Sequence, residues 1–283
     1  MNTQASGGAP MLPELLEHQA TGQIAEIYDE IRSFSGVPYV SSLQRYLATM
    51  PGVLEWAWDV VRPALASGAV QETGWRLAGT VTIPPAQGIS VAARCGLSVD
   101  NAGLAAIRNI AENFVRVSPV NLMTGACLRL VLEGSQPGGR GFAGGWSPPA
   151  MLAPMPGNAD PEKLAPDARA VLMQLATELD GKPFIPALYR QLAHWPGFLA
   201  WLATELGPRF DAPETNMART AFRQAALAEA DGIVARLPAL PERAPPDAAT
   251  TRAVLAAIDR YAGTSPEMTL FGRLILDALA DAD

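Results

Sequence analysis

The chain has 283 residues, of which 49% are hydrophobic and 17% charged, enough apolar material for a sizeable core and too little charge for a disordered chain. A formal charge of −7 with scattered Lys and Arg argues against a nucleic-acid partner. Two cysteines, Cys95 and Cys127, and two histidines, His18 and His194, support neither a zinc site nor a disulfide framework, so the expectation is no metal and no cofactor.

The N-terminal twenty residues, MNTQASGGAPMLPELLEHQA, show no charged segment followed by an apolar run. No stretch approaches about 18 uninterrupted apolar residues. The reading is a cytoplasmic protein without a membrane partner. After Gly22, Ile24, Ile27, Tyr28 and Ile31 fall on one helical face. Gly36 and Pro38 break that helix; Leu43, Leu47 and Met50 mark a second, and Pro51 opens a third carrying Leu54, Trp58, Val61 and Leu65. Only short pieces such as Thr80 to Ile83 read as strand, too little for a sheet.

Residues 102–115 and 120–133 have helical period, with a break expected at Ser118 and Pro119. The Gly- and Pro-rich run 134–163 reads as a linker. Its QPGGRGFAGG stretch lacks the GxxxxGK[ST] pattern of a phosphate loop.

Beyond it the chain repeats itself. VPYVSSLQRYLATMPGVLEW at 37–56 and KPFIPALYRQLAHWPGFLAW at 182–201 lie 145 residues apart (182 less 37) and agree at nine of twenty positions. Chance gives about one or two. Phe114, Ser118 and Pro119 likewise match Tyr261, Ser265 and Pro266 at an offset of 147. A period this long indicates a duplicated domain-sized unit, not a solenoid. The expected architecture is all-α, two pseudosymmetric helical repeats (11–133 and 164–283) packed as an intramolecular pseudodimer around an interfacial cleft.

The run AEIYDEIRSFSGVPYVSSLQRYLATMPGVLEWAWDVVRPAL, the second-half LYRQLAHWPGFL and the Phe-x-x-x-Ser-Pro element together resemble the group I 2-haloacid dehalogenases. That resemblance implies a cofactor-free enzyme in which an activated water displaces halide directly. By position, the family's water-activating aspartate falls at Leu188, and the asparagine that helps hold the water at Ser118. Tyr39 and Ser42 match pocket residues, and Ala187 stands where a serine would help bind the carboxylate.

Leucine accepts no proton, and unactivated water, with a pKa near 15.7, is a poor nucleophile. Two enzymatic expectations follow. A substrate could carry its own nucleophile, such as an amine closing an aziridine ring, which exploits the effective molarity of intramolecular attack. Alternatively the chain is a dehalogenase whose base has moved. A third reading is a non-catalytic metabolite-binding subunit.

Glu112 and Ser118 are the candidate catalytic groups, with Asn113, Arg116 and Tyr189 joining Tyr39, Ser42, Ala187 and Leu188 as candidate substrate contacts. Glu112 and Arg116, four apart, equally fit a solvated helix pair. Arg45 and Arg190, equivalent in the two copies, fit a structural role better than asymmetric catalysis. The expected partner is a small molecule, with a homodimer or protein partner left open.

Overall fold

The computed structural model describes residues 12–142, 144–179, 181–239 and 242–280. The N-terminal eleven residues, on which the absence of a leader was argued, lie outside that set, as do the outer limits of the expected repeats at 11 and 283. Eleven α-helices carry the described chain. They are α1 (Gly22–Ser35), α2 (Ser42–Leu47), α3 (Val53–Ala66), α4 (Ala69–Thr80), α5 (Val91–Gly96), α6 (Asn101–Leu132), α7 (Pro166–Gln174), α8 (Ala187–Leu192), α9 (Pro196–Phe210), α10 (Pro213–Val234) and α11 (Ala248–Ala280).

The N-terminal helix shows how sequence fixes geometry. Ile27, Tyr28 and Ile31 are its buried face, and Gly36 ends it in the left-handed region at φ 62°, its N–H donating to Arg32 O and Ser33 O. A Cβ at Gly36 would lie 2.9 Å from Pro149, so glycine also lets the 134–163 segment dock there. Leu152 N then donates to Gly36 O at 3.0 Å.

Two expectations need correction. The Ser118-Pro119 break does not occur: α6 runs 32 residues through Pro119, and α11 runs 33 through Pro266. Proline removes one ladder donor, the partner of Val115 O in α6 and of Ala262 O in α11. Trp75 Nε1 donates to the adjacent Arg116 O (2.8 Å), and Ser265 Oγ donates to the adjacent Tyr261 O (2.8 Å). Burial of both prolines along the interface of α6 with α11 outweighs that cost.

The strand expected at 80–83 is absent: Thr80 ends α4, and 81–90 has no regular structure. The strands instead are β1 (Thr177–Leu179) and β2 (Lys182–Phe184), an antiparallel pair turning at Gly181, φ 68°.

The core divides into two clusters. One gathers Tyr28, Leu54, Trp56 and Met123 with Phe222 and Ile258. The other gathers Ile107 and Ile110 with Leu188, Leu199, Phe271 and Ile275. Helices α6 and α11 pack along each other, and each runs through both clusters. By length and hydropathy α6 could span a membrane, but most of its apolar stretch is buried inside the molecule, as in a core helix.

Candidate active site

Between these clusters lies a cavity of about 390 Å³. Tyr39, Ser41, Ser42 and Arg45 reach it from α2 and the turn before it, and Phe114, Val117, Ser118 and Asn121 from the middle of α6. Phe184, Ala187 and Gln191 approach from β2 and α8, and Tyr261, Thr264, Ser265 and Met268 from α11. Helical period explains the selection: 114, 117, 118 and 121, like 261, 264, 265 and 268, recur at three and four.

Many wall positions pair at the two sequence offsets. Tyr39 and Ser42 correspond to Phe184 and Ala187, 145 apart, and Phe114 and Ser118 to Tyr261 and Ser265, 147 apart.

The fifth wall is the segment 154–158, part of the run read as a linker. Asn109 Nδ2 donates to Ala153 O and Pro154 O (both 3.1 Å), Arg116 Nη1 donates to Ala150 O (2.7 Å) and Gly36 O (3.0 Å), and His194 Nε2 meets Gly157 O at 2.9 Å. The segment is a strap laced across the cavity.

Several site expectations are corrected by this geometry. Asn113 is fully buried and donates to Asn109 O (2.9 Å), and Arg116 ties down the strap, so neither lines the cavity. Glu112, on the adjacent face of α6, opens onto a separate surface groove with Arg94 and Arg108. Leu188 is fully enclosed in the second cluster, because positions 187 and 191 of α8 face the cavity and 188 and 192 face the core. Tyr189 is buried too, its hydroxyl donating to Glu267 Oε1 at 3.0 Å.

Tyr39, Ser42, Ser118 and Ala187 do lie on the wall. Arg45, to which the sequence assigns a structural role, lies on the wall as well, with Asn121, Gln191, Tyr261, Thr264 and Ser265, which the sequence does not single out as site residues. The signal existed: Asn121 is three residues after Ser118, and the 147-residue offset maps Phe114 and Ser118 onto Tyr261 and Ser265.

The wall carries hydroxyls and amides but no carboxylate among the described residues. Asn121 Nδ2 donates to Ser41 Oγ (2.5 Å), and its Oδ1 accepts from Gln44 Nε2 (3.3 Å). Burial pushes the Tyr39 hydroxyl well above its usual range. It pushes Tyr261 up to about 12, with Glu14 adding to the rise and Ser42, Arg260 and Arg45 opposing it. Both tyrosines are therefore protonated at neutrality and serve as donors, not bases.

The cation on this wall is Arg45. Its Nη2 lies 3.2 Å from Ser42 Oγ and 2.8 Å from Glu14 Oε2. Glu14 lines a smaller adjoining cavity of about 80 Å³ that shares Ser42, Arg45, Asn158, Phe184, Ala187 and Tyr261 with the main one. Among the described residues no group of three or more His, Cys, Asp or Glu is placed to hold a metal.

The chain is 25% identical over 211 residues to the "(R)-2-haloacid dehalogenase" of Rhizobium sp. (strain NHG3), covering 72% of this chain and 81% of that one. It is also 25% identical over 233 residues to the enzyme of the same name from Pseudomonas putida, covering 77% and 75%. The chain is a distant homologue of the D-2-haloacid dehalogenases. Its fold matches a solved D-2-haloacid dehalogenase complexed with L-LA (TM-score 0.68, 20% identity, 98% of this chain and 100% of the other). A mutant in complex with D-2-CPA gives a TM-score of 0.67 at 19% identity, covering 98% and 100%. No family model matches the chain. In this dehalogenase homologue the wall combines hydroxyls, amides and one guanidinium with the apolar faces of Phe114, Phe184 and Met268.

Proposed function

We propose that the protein catalyses a cofactor-independent, dehalogenase-like nucleophilic substitution at an sp3 carbon of a small carboxylic acid, with water as the nucleophile. The observation that carries this is Arg45 on the wall of a 390 Å³ cavity whose remaining lining is uncharged among the described residues. A guanidinium binds a carboxylate through directed charge-assisted hydrogen bonds. The hydroxyls of Ser42, Ser118 and Ser265 and the amide of Asn121 surround the same space and suit a bound water or a departing anion. Homology to the (R)-2-haloacid dehalogenases supports the reaction class. The offset pairs on the wall support two pseudosymmetric repeats as the scaffold.

A second reading is favoured by one feature, the absence of a carboxylate from the main wall. A substrate bearing its own amine would need no strong base, and ring closure, for example to an aziridine, would use the same cavity. Incubating the protein with 2-halocarboxylates and with vicinal amino-halides separates the two. Halide release with a hydroxy acid product supports hydrolysis. A cyclic amine formed without solvent attack supports closure, and saturable binding without turnover of either supports a binding subunit.

A further inference from the structure

We propose that Glu14 is the general base of this site, a role that rests on the hydrolytic reading above. The chemistry needs a proton acceptor, and position 188 supplies none. Glu14 is the one carboxylate among the described residues that lines either the main cavity or the chamber continuous with it.

Its placement is fixed by backbone. The neighbouring Leu15 donates its N–H to Arg45 O (3.0 Å), and Leu15 O accepts from the buried Tyr28 hydroxyl (3.0 Å). The segment preceding α1 is thereby clamped to α2, and the Glu14 side chain, 13% exposed, points toward shared wall residues instead of open water. Such pinning is what a positioned base requires.

Glu14 Oε2 contacts Arg45 Nη2 at 2.8 Å. Arg45 lines both chambers, so a substrate carboxylate seated on Arg45 brings its α-carbon toward Glu14. A water in the small chamber then has the Glu14 carboxylate as acceptor on one side and the α-carbon on the other. The water oxygen forms the new C–O bond as the C–X bond breaks, the bonding pair leaves with the halide, and the water proton passes to Glu14. The protonated Glu14 returns that proton to solvent after product release. Tyr261 lines the same chamber beside Ser42 and Arg45.

The test is the isosteric variant Glu14→Gln in the full-length protein, assayed for halide release from chloroacetate and 2-chloropropionate. General-base assistance is typically about 10²- to 10⁴-fold. A fall in kcat of at least about 100-fold is expected, with KM little changed and partial rescue by added formate or azide. Glu14→Asp, which retains a carboxylate on a shorter arm, should keep an intermediate rate, which separates a lost base from a lost fold. A Glu14→Gln enzyme with wild-type kcat overturns the assignment while leaving the hydrolytic reading intact. Wild-type protein that binds 2-chloropropionate calorimetrically but releases no halide overturns both.

Discussion

Ala187 and Leu188 are adjacent on one short helix and face opposite ways: Ala187 lines the cavity, and Leu188 is sealed in the second apolar cluster. The leucine at the position where the resemblance puts a water-activating aspartate is therefore a core residue. Installing the carboxylate there does not rebuild a dehalogenase. Leu188→Asp should bury an unpaired charge, costing roughly 3–5 kcal/mol, and denaturant titration should show the loss without a gain in halide release.

Arg45 touches both Ser42 and Glu14 from the cavity wall. Arg45→Met should raise KM for 2-halocarboxylates about tenfold or more, since charge-assisted bonds contribute about 1.5–3 kcal/mol. Steady-state kinetics provide the check, and an unchanged KM would remove Arg45 from substrate binding.

Glu112 opens onto a groove separate from the cavity. Glu112→Gln should leave kcat/KM within about twofold, because surface substitutions of this kind usually stay within about 0.5 kcal/mol. A large loss would return the site to the face of α6 that the sequence first suggested.

Glu267 is almost wholly buried, accepts from the Tyr189 hydroxyl, and meets Arg219 Nη2 at 3.2 Å in an ionic contact without hydrogen-bond geometry. Burial raises its carboxyl pKa, against the opposing pull of Arg219, Tyr189 and Thr177. A raised folded-state pKa means the folded protein holds this proton more tightly than the unfolded chain. Its stabilising contribution is full below the ordinary value of 4.5 and is lost as pH rises through the folded value. Glu267→Gln has no such titration, so the stability of the wild type relative to this variant should decline from pH 4 toward neutrality. Thermal melts across that range test it; a constant difference would contradict it.

Much of the helical fold was legible because apolar residues recur at three and four, as in Ile27, Tyr28 and Ile31. The unbroken long helices were not, because both prolines are buried in helices that pack along each other, a contact no local pattern announces. The cavity was legible where the family resemblance points, at Tyr39, Ser42, Ser118 and Ala187. Leu188 was misplaced because alignment gives position but not the facing of a six-residue helix. Glu14 left no sequence signal at all, since its approach depends on Leu15 pairing with Arg45, thirty residues along the chain.

The central claim is that this cavity directs solvent water onto a carbon bearing a leaving group. Turnover of a 2-halocarboxylate in H₂¹⁸O, analysed by mass spectrometry of the product, tests it most directly. The account predicts a 2-hydroxy acid carrying one labelled oxygen at carbon 2 for every halide released. Halide loss without label at that carbon, or no halide loss from any small 2-halocarboxylate, would contradict it.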